Sequence, residues 1–159
     1  MNKEPLRAAV LSALETELAR QTHAALDARE ESISEESRAE NKYDTHAQEA
    51  AYLAEGQARI ATELAAAVVA WRSFTFPLPG HVVAQLGSLV TLEAGSRTDH
   101  ILLGPTNGGL TFPSPDDARE ITVVTLASPL GRALFGRSAG DAIPPSRKGG
   151  PTPRITALA

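Results

Sequence analysis

Between Pro5 and about Ser34 the chain has no glycine, and Leu11, Leu14, Leu18 and Ala25 fall at helical spacing among charged residues. This predicts an amphipathic helix with Pro5 in its first turn. A second helical pattern runs from about Arg38 to Arg72, where Leu53, Gln57, Ile60, Leu64, Ala67 and Trp71 alternate steps of four and three. That is the seam spacing of a coiled coil, with Gly56 as its weak point. Two such helices joined by a short polar connector near Ser34 to Ser37 bury their stripes on each other when the chain reverses, so an antiparallel hairpin is expected. About thirty residues of helix span about 45 Å, which makes the hairpin a finger. Phe76-Pro77-Leu78-Pro79-Gly80 ends the helical period and divides the chain into a finger over residues 1–75 and a second domain over 76–159.

Beyond that boundary the pattern turns to β. His81 to Leu86, Leu89 to Glu93, His100 to Leu103 and Ile121 to Leu126 read as strands, and Asn107-Gly108 reads as a hairpin turn before Leu110 to Phe112. Ser128 is placed to cap a short helix, with Pro129 at its first position and Gly136 just past its end. Pro144 to Pro153 reads as a loop before a last strand at Arg154 to Leu158. The fold class expected is α+β: an N-terminal antiparallel coiled-coil hairpin and a C-terminal β-rich domain.

Composition narrows the function. The hydrophobic fraction of 42% is that of an ordinary globular protein, while aromatics at 4% are too few for a base-stacking platform. Without cysteine there is no disulfide, thiolate metal site or cysteine nucleophile. The longest apolar run, Leu64 to Trp71, is about a third of a membrane span, and Met1 to Arg20 lacks a signal-peptide core, so a cytoplasmic location without membrane attachment is expected. A formal charge of -4 gives no basis for autonomous DNA binding. The charge is divided unevenly: through Ala70 the balance is -6, and from Trp71 onward it is +2.

The tip of the finger carries Glu30, Glu31, Glu35, Glu36 and Glu40, with Arg29 and Arg38 as the nearby compensation. Carboxylates there suit a hard cation such as Mg²⁺, or form a solvated charge run. Glu40 also completes a capping box with Ser37, which would start the second helix. His23, His46, His81 and His100 show no metal-ligand spacing. No nucleophile elbow or phosphate loop is present. Trp71 continues the apolar seam into the junction and reads as core. Within Ser128 to Arg137, Leu130 and Leu134 are placed to pack on the sheet, while Arg132, Phe135 and Arg137 have the character of interface hot spots.

Glu40-Asn41-Lys42-Tyr43-Asp44, Tyr52-Leu53-Ala54-Glu55-Gly56-Gln57-Ala58-Arg59-Ile60, Gly87-Ser88-Leu89-Val90-Thr91-Leu92 and Ser128-Pro129-Leu130-Gly131-Arg132-Ala133-Leu134-Phe135-Gly136 follow one another in an order that resembles the Gre family of bacterial transcript-cleavage factors, GreA and GreB. The resemblance covers most of the chain. It implies a C-terminal domain of FKBP-like fold that docks at the rim of the RNA polymerase secondary channel, with Ser128, Pro129, Arg132, Phe135 and Arg137 in the docking segment. It also implies a finger that reaches down the channel, where tip acids share a Mg²⁺ with the polymerase and promote cleavage of the backtracked RNA 3′ end. Glu36 and Glu40 are the candidate tip acids. No intrinsic cofactor is expected, and the chain is expected to act as an accessory factor, not an enzyme alone.

One departure bears on activity. The family tip pattern Gly-Asp-Leu-Lys-Glu-Asn lies on Glu36-Ser37-Arg38-Ala39-Glu40-Asn41, so Glu40 and Asn41 match while the aspartate is replaced by Ser37. Two outcomes stay open, a cleavage stimulator using Glu36 with Glu40 and a cleavage-deficient regulator that occupies the channel. Pro144 and Pro145 also interrupt a segment that is usually a strand in the family. Two other classes are an FKBP-like chaperone or prolyl isomerase, for which Phe112 and Phe135 supply few pocket aromatics, and a coiled-coil assembly module.

Overall fold

A computed structural model of the chain describes residues 3–36, 46–117, 119–145 and 150–159. These fall into two compact units, Ser12–Val69 on the one hand and Met1–Leu11 with Ala70–Ala159 on the other. Helix α1 (Glu4–Glu36) and helix α2 (His46–Ser73) come first in the chain and extend through both units. The capping box at Ser37 and Glu40 and the expected start of the second helix at Arg38 lie outside the described residues.

Within Ser12–Val69 the packed face of α1 carries Leu14, Ala28 and Ser32, and that of α2 carries Ala50, Ala67 and Val68. Ala54, Gln57, Ala61 and Leu64 are half-buried along the same line of α2. The seam therefore differs from the expected one. Gln57, Leu64, Ala67 and Trp71 are buried or half-buried as expected, but Leu53 and Ile60 are 54% and 39% exposed, and Ala54 and Ala61 take their places. The physical reason is geometric. Two lines of alternating three- and four-residue steps pass through Gln57 and Leu64, one residue apart on their other members, and one residue is 100° of rotation. Small side chains let two helices approach closely, so the alanine line faces inward and the bulky residues sit on the flank. Thr22, Ala25 and Leu26 of α1 and Ala54, Ala58 and Ala61 of α2 line a shallow groove of about 410 Å³ beside this seam.

The second unit is built on five strands: β1 (Leu89–Ala94), β2 (Arg97–Leu103), β3 (Thr111–Pro113), β4 (Glu120–Val124) and β5 (Arg154–Leu158). Their order across the sheet is β3-β4-β2-β1-β5. β2 and β4 are parallel and the other neighbours antiparallel. Helix α3 (Pro129–Leu134) follows β4 and packs on the core through Leu134, with Leu130 and Ala133 beside it. That core comprises Ala84, Val90, Leu92, Ile101, Leu103, Val124, Ile143 and Ile155.

Two expected β features are corrected. Asn107-Gly108 is a turn, with Asn107 at φ 58° and Leu110 N donating to Asn107 O, but it does not join a hairpin, because β3 pairs with β4 and β4 lies parallel to β2. His81 to Leu86 is not a strand of the sheet. It is an extended segment with a single bridge, Val83 to Ser138, and Gly87 at φ 85° turns the chain away after it. Ala142 likewise forms only a bridge, to Arg154, before Pro144 and Pro145.

The first turns of α1 and the last turn of α2 belong to this unit and run antiparallel. Arg7 donates to the carbonyls of Trp71 and Arg72 at 3.2 and 2.8 Å, satisfying the open C-terminal end of α2. Its guanidinium lies 5.3 Å from the centre of the Phe76 ring. Trp71 is fully buried, edge-on to Phe74 at 5.7 Å, and Phe74 is in turn edge-on to Phe76 at 5.2 Å. Lys3 is buried and donates to Gly87 O at 2.8 Å, and desolvation lowers its pKa below the ordinary lysine value.

Candidate functional site

Local chemistry fixes α3. Ser128 has extended backbone, and its hydroxyl accepts from Gly131 N at 2.9 Å while donating to Thr125 O at 2.9 Å. The cap thus ties the helix to the end of β4 as well as to its own first turn. Pro129 occupies the first turn, where its missing N–H leaves no bond unmade. Gly131 is required by packing: a Cβ there would lie 2.1 Å from Thr125 O. At the far end Phe135 N donates to Gly131 O, and Gly136, at φ 77°, turns the chain out of the helix.

With Leu134 inward, the opposite face presents Arg132 and Phe135, both exposed, and Arg137 follows in the exposed turn. Arg132 donates to Ala127 O at 2.6 Å, which holds its side chain back along the helix. The structure therefore brings together all five residues singled out for docking, Ser128 and Pro129 as the element that starts the helix and Arg132, Phe135 and Arg137 as the groups it displays.

The tip acids are placed differently. Glu36 is the last residue of α1 and its side chain is outside the described set, as is the whole of Glu40. Among the described residues, no three His, Cys, Asp or Glu side chains are grouped to hold a metal ion. Glu30 and Glu31, six and five residues before Glu36 on α1, are exposed.

Sequence reasoning passed over the extended segment beside α3. Ala84 N donates to Arg137 O and Gly136 N to Ala84 O, each at 2.7 Å, so the segment is laced to the turn that ends α3. Its short apolar, valine-rich run was legible as β; its partner was not, because the pairing spans more than fifty positions of chain. A cavity of about 480 Å³ lies elsewhere on this unit, lined by Leu92, Arg97, Asp99, Leu130 and Pro153 among others, and no described lining residue is aromatic. Phe112 is buried in the sheet and Phe135 faces solvent on α3.

No family model matches the chain, and no curated protein matches it. Solved structures do. The chain is similar to GreA factor homolog 1 (Gfh1) of Thermus thermophilus at 20% identity, with 94% of each chain covered and a TM-score of 0.36. It is similar to Gfh1 of Thermus aquaticus at 21% identity, covering 91% of this chain and 90% of that one, with a TM-score of 0.36. A prokaryotic transcription elongation factor GreA/GreB from Nitrosomonas europaea is 21% identical over 65% of this chain and 78% of its own, with a TM-score of 0.33. Among the described residues the chain's own order of parts is two long helices, then a five-stranded mixed sheet and a short capped helix, as the sequence leads one to expect. Among the described residues, no helix is long and apolar enough to cross a membrane.

Proposed function

We propose that this protein is a transcription elongation factor that binds RNA polymerase at its secondary channel and modulates elongation from there. The observation that carries the reading is α3, whose capped, glycine-seated frame displays Arg132, Phe135 and Arg137 on the segment that resembles the Gre docking motif. An arginine pair around an exposed aromatic is the composition of an interface hot spot. The helical hairpin is then the effector, and the protein is an accessory factor working in the cytoplasm through the polymerase active site.

Two outcomes belong to this reading. Glu36 and Glu40 are the acids available for a Mg²⁺ shared with the polymerase, and with them the protein would stimulate cleavage of the backtracked RNA 3′ end. Ser37, where the family pattern has aspartate, favours the second outcome, a regulator that occupies the channel without promoting cleavage. The experiment is to add the purified chain to RNA polymerase stalled on backtracked RNA with Mg²⁺ and to follow transcript length. Shortened transcripts that disappear with Glu40→Gln identify a cleavage factor, and slowed extension without shortening identifies the regulator. Transcripts and extension unchanged at saturating protein would overturn the proposal.

A further inference from the structure

The helical hairpin buries one side of each helix and leaves a groove beside the seam. Thr22, Leu26 and Arg29 stand at steps of four and three on α1, so they share a face, and with Ala25 they form one wall of the groove. Ala54, Ala58 and Ala61 stand at the same steps on α2 and, with Glu55, form the other. The two walls differ in kind. On α1 a bulky apolar side chain, Leu26, is 53% exposed beside a cation, Arg29. On α2 the lining is three methyl groups and an anion, Glu55, which is also exposed. Arg29 and Glu55 line the same groove but are not paired with each other within the chain. Ile33, four residues beyond Arg29 on the same line of α1, leaves a further apolar side chain in water.

Two helices alone cannot cover such surface, and packing into a four-helix bundle is a common way in which it is buried. The groove is its own complement. A two-fold axis parallel to the helices lays α1 of one copy against α2 of its partner, so that each Leu26 meets the alanine-lined wall opposite and each Arg29 comes to the partner's Glu55. Alanines on the receiving wall let the helices approach closely. A two-fold axis across the helices would instead lay like helix on like and bring the two Arg29 side chains together, which their charge disfavours. Exposed ion pairs add little affinity, so the charges select the orientation while Leu26 supplies the burial.

We infer that the chain associates with a second copy of itself through this groove, as a two-fold pair of hairpins. The contact lies within Ser12–Val69 and is independent of the polymerase reading.

The test is sedimentation equilibrium of the full chain from about 1 μM to about 1 mM, which spans ordinary to weak association. Wild type is compared with Leu26→Ser, Arg29→Glu and Glu55→Arg, each with its helical circular-dichroism signal. Wild type should form a dimer, and Leu26→Ser and each charge reversal should weaken it about tenfold. The deciding sample mixes Arg29→Glu with Glu55→Arg in equal amounts. Alone, each variant sets like charges against each other at both contacts; mixed, an acid meets a base at both, so association should return to near the wild-type level. A mixture no tighter than its components would overturn the inference. A wild type that stays monomeric throughout would also overturn it, and a weaker effect of Leu26→Ser on transcription would then assign the groove to the polymerase. Should Leu26→Ser lose helical signal, the mixture decides, since positions 29 and 55 are both exposed.

Discussion

Gly104 and Gly131 show how single positions hold the β-rich unit together. A Cβ on Gly104 would lie 2.6 Å from Val123 Cγ1 and 2.7 Å from the Trp71 ring, so its absence lets the indole lie against the sheet, as the absence of one at Gly131 lets α3 seat on Thr125. On α1 the informative residue is Glu17. Arg20 donates to its carboxylate at 2.8 and 2.6 Å and Gln21 at 2.8 Å, which lowers its pKa from the ordinary 4.5 to about 2, with the Arg20 hydrogen bonds as the largest cause and Gln21 next. The folded chain keeps Glu17 ionised where the unfolded chain would protonate it. The contribution to stability is therefore complete above about pH 4.5 and is lost as the pH falls towards 2. Since both side chains reach solvent, the effect is small. Glu17→Gln should lower the thermal midpoint of the helical circular-dichroism signal slightly at pH 7 and leave it equal to wild type near pH 2. A difference that persists in acid would mean that the residue acts by packing and not by its charge.

At the scale of elements, what the sequence discloses depends on whether the cause is local. The cap, proline and glycine that start and stop α3 are all within nine residues, and the helix stands where they put it. β5 occupies the expected Arg154–Leu158, with Pro153 just before it and Ile155 buried within it. The lines that failed depend on distant chain. Asn107-Gly108 has the composition of a hairpin turn, but whether β2 and β3 pair is decided by β4, which inserts between them. On α2 the two candidate seams share Gln57, Leu64 and Trp71, and packing against α1, a partner distant in the chain, puts Ala54 and Ala61 inward. That choice is measurable. Leu53→Ala and Ile60→Ala should each cost less than about 1 kcal/mol, as exposed positions do. Trp71→Ala, at a fully buried ring, should cost about 3–5 kcal/mol. Urea unfolding of the three variants checks both values, and a cost at Leu53 or Ile60 approaching that of Trp71 would restore the bulky seam.

At the scale of the whole chain, the charge division gains a physical meaning. Residues through Ala70 carry the balance of -6, and the positive remainder includes Arg132 and Arg137 on the proposed docking face, so the proposed effector and anchor are chemically unlike. The candidate site is legible in the same proportion. Its proposed docking half is legible because cap and hot-spot residues sit in one short run, whereas the pairing of Ala84 with Arg137 and Gly136 is not, since it joins positions more than fifty apart in the chain. Everything in the functional account depends on that face meeting RNA polymerase. The most direct measurement is site-specific photo-crosslinking in the full chain, with the reactive residue at position 135 in one preparation and at exposed position 116, in the connection between β3 and β4, in another. Mixed with core RNA polymerase, the preparation labelled at 135 should form a crosslink to a polymerase subunit that unlabelled wild type competes away, and the one labelled at 116 should form little or none. No polymerase adduct from position 135, or equal adducts from both, would contradict the account.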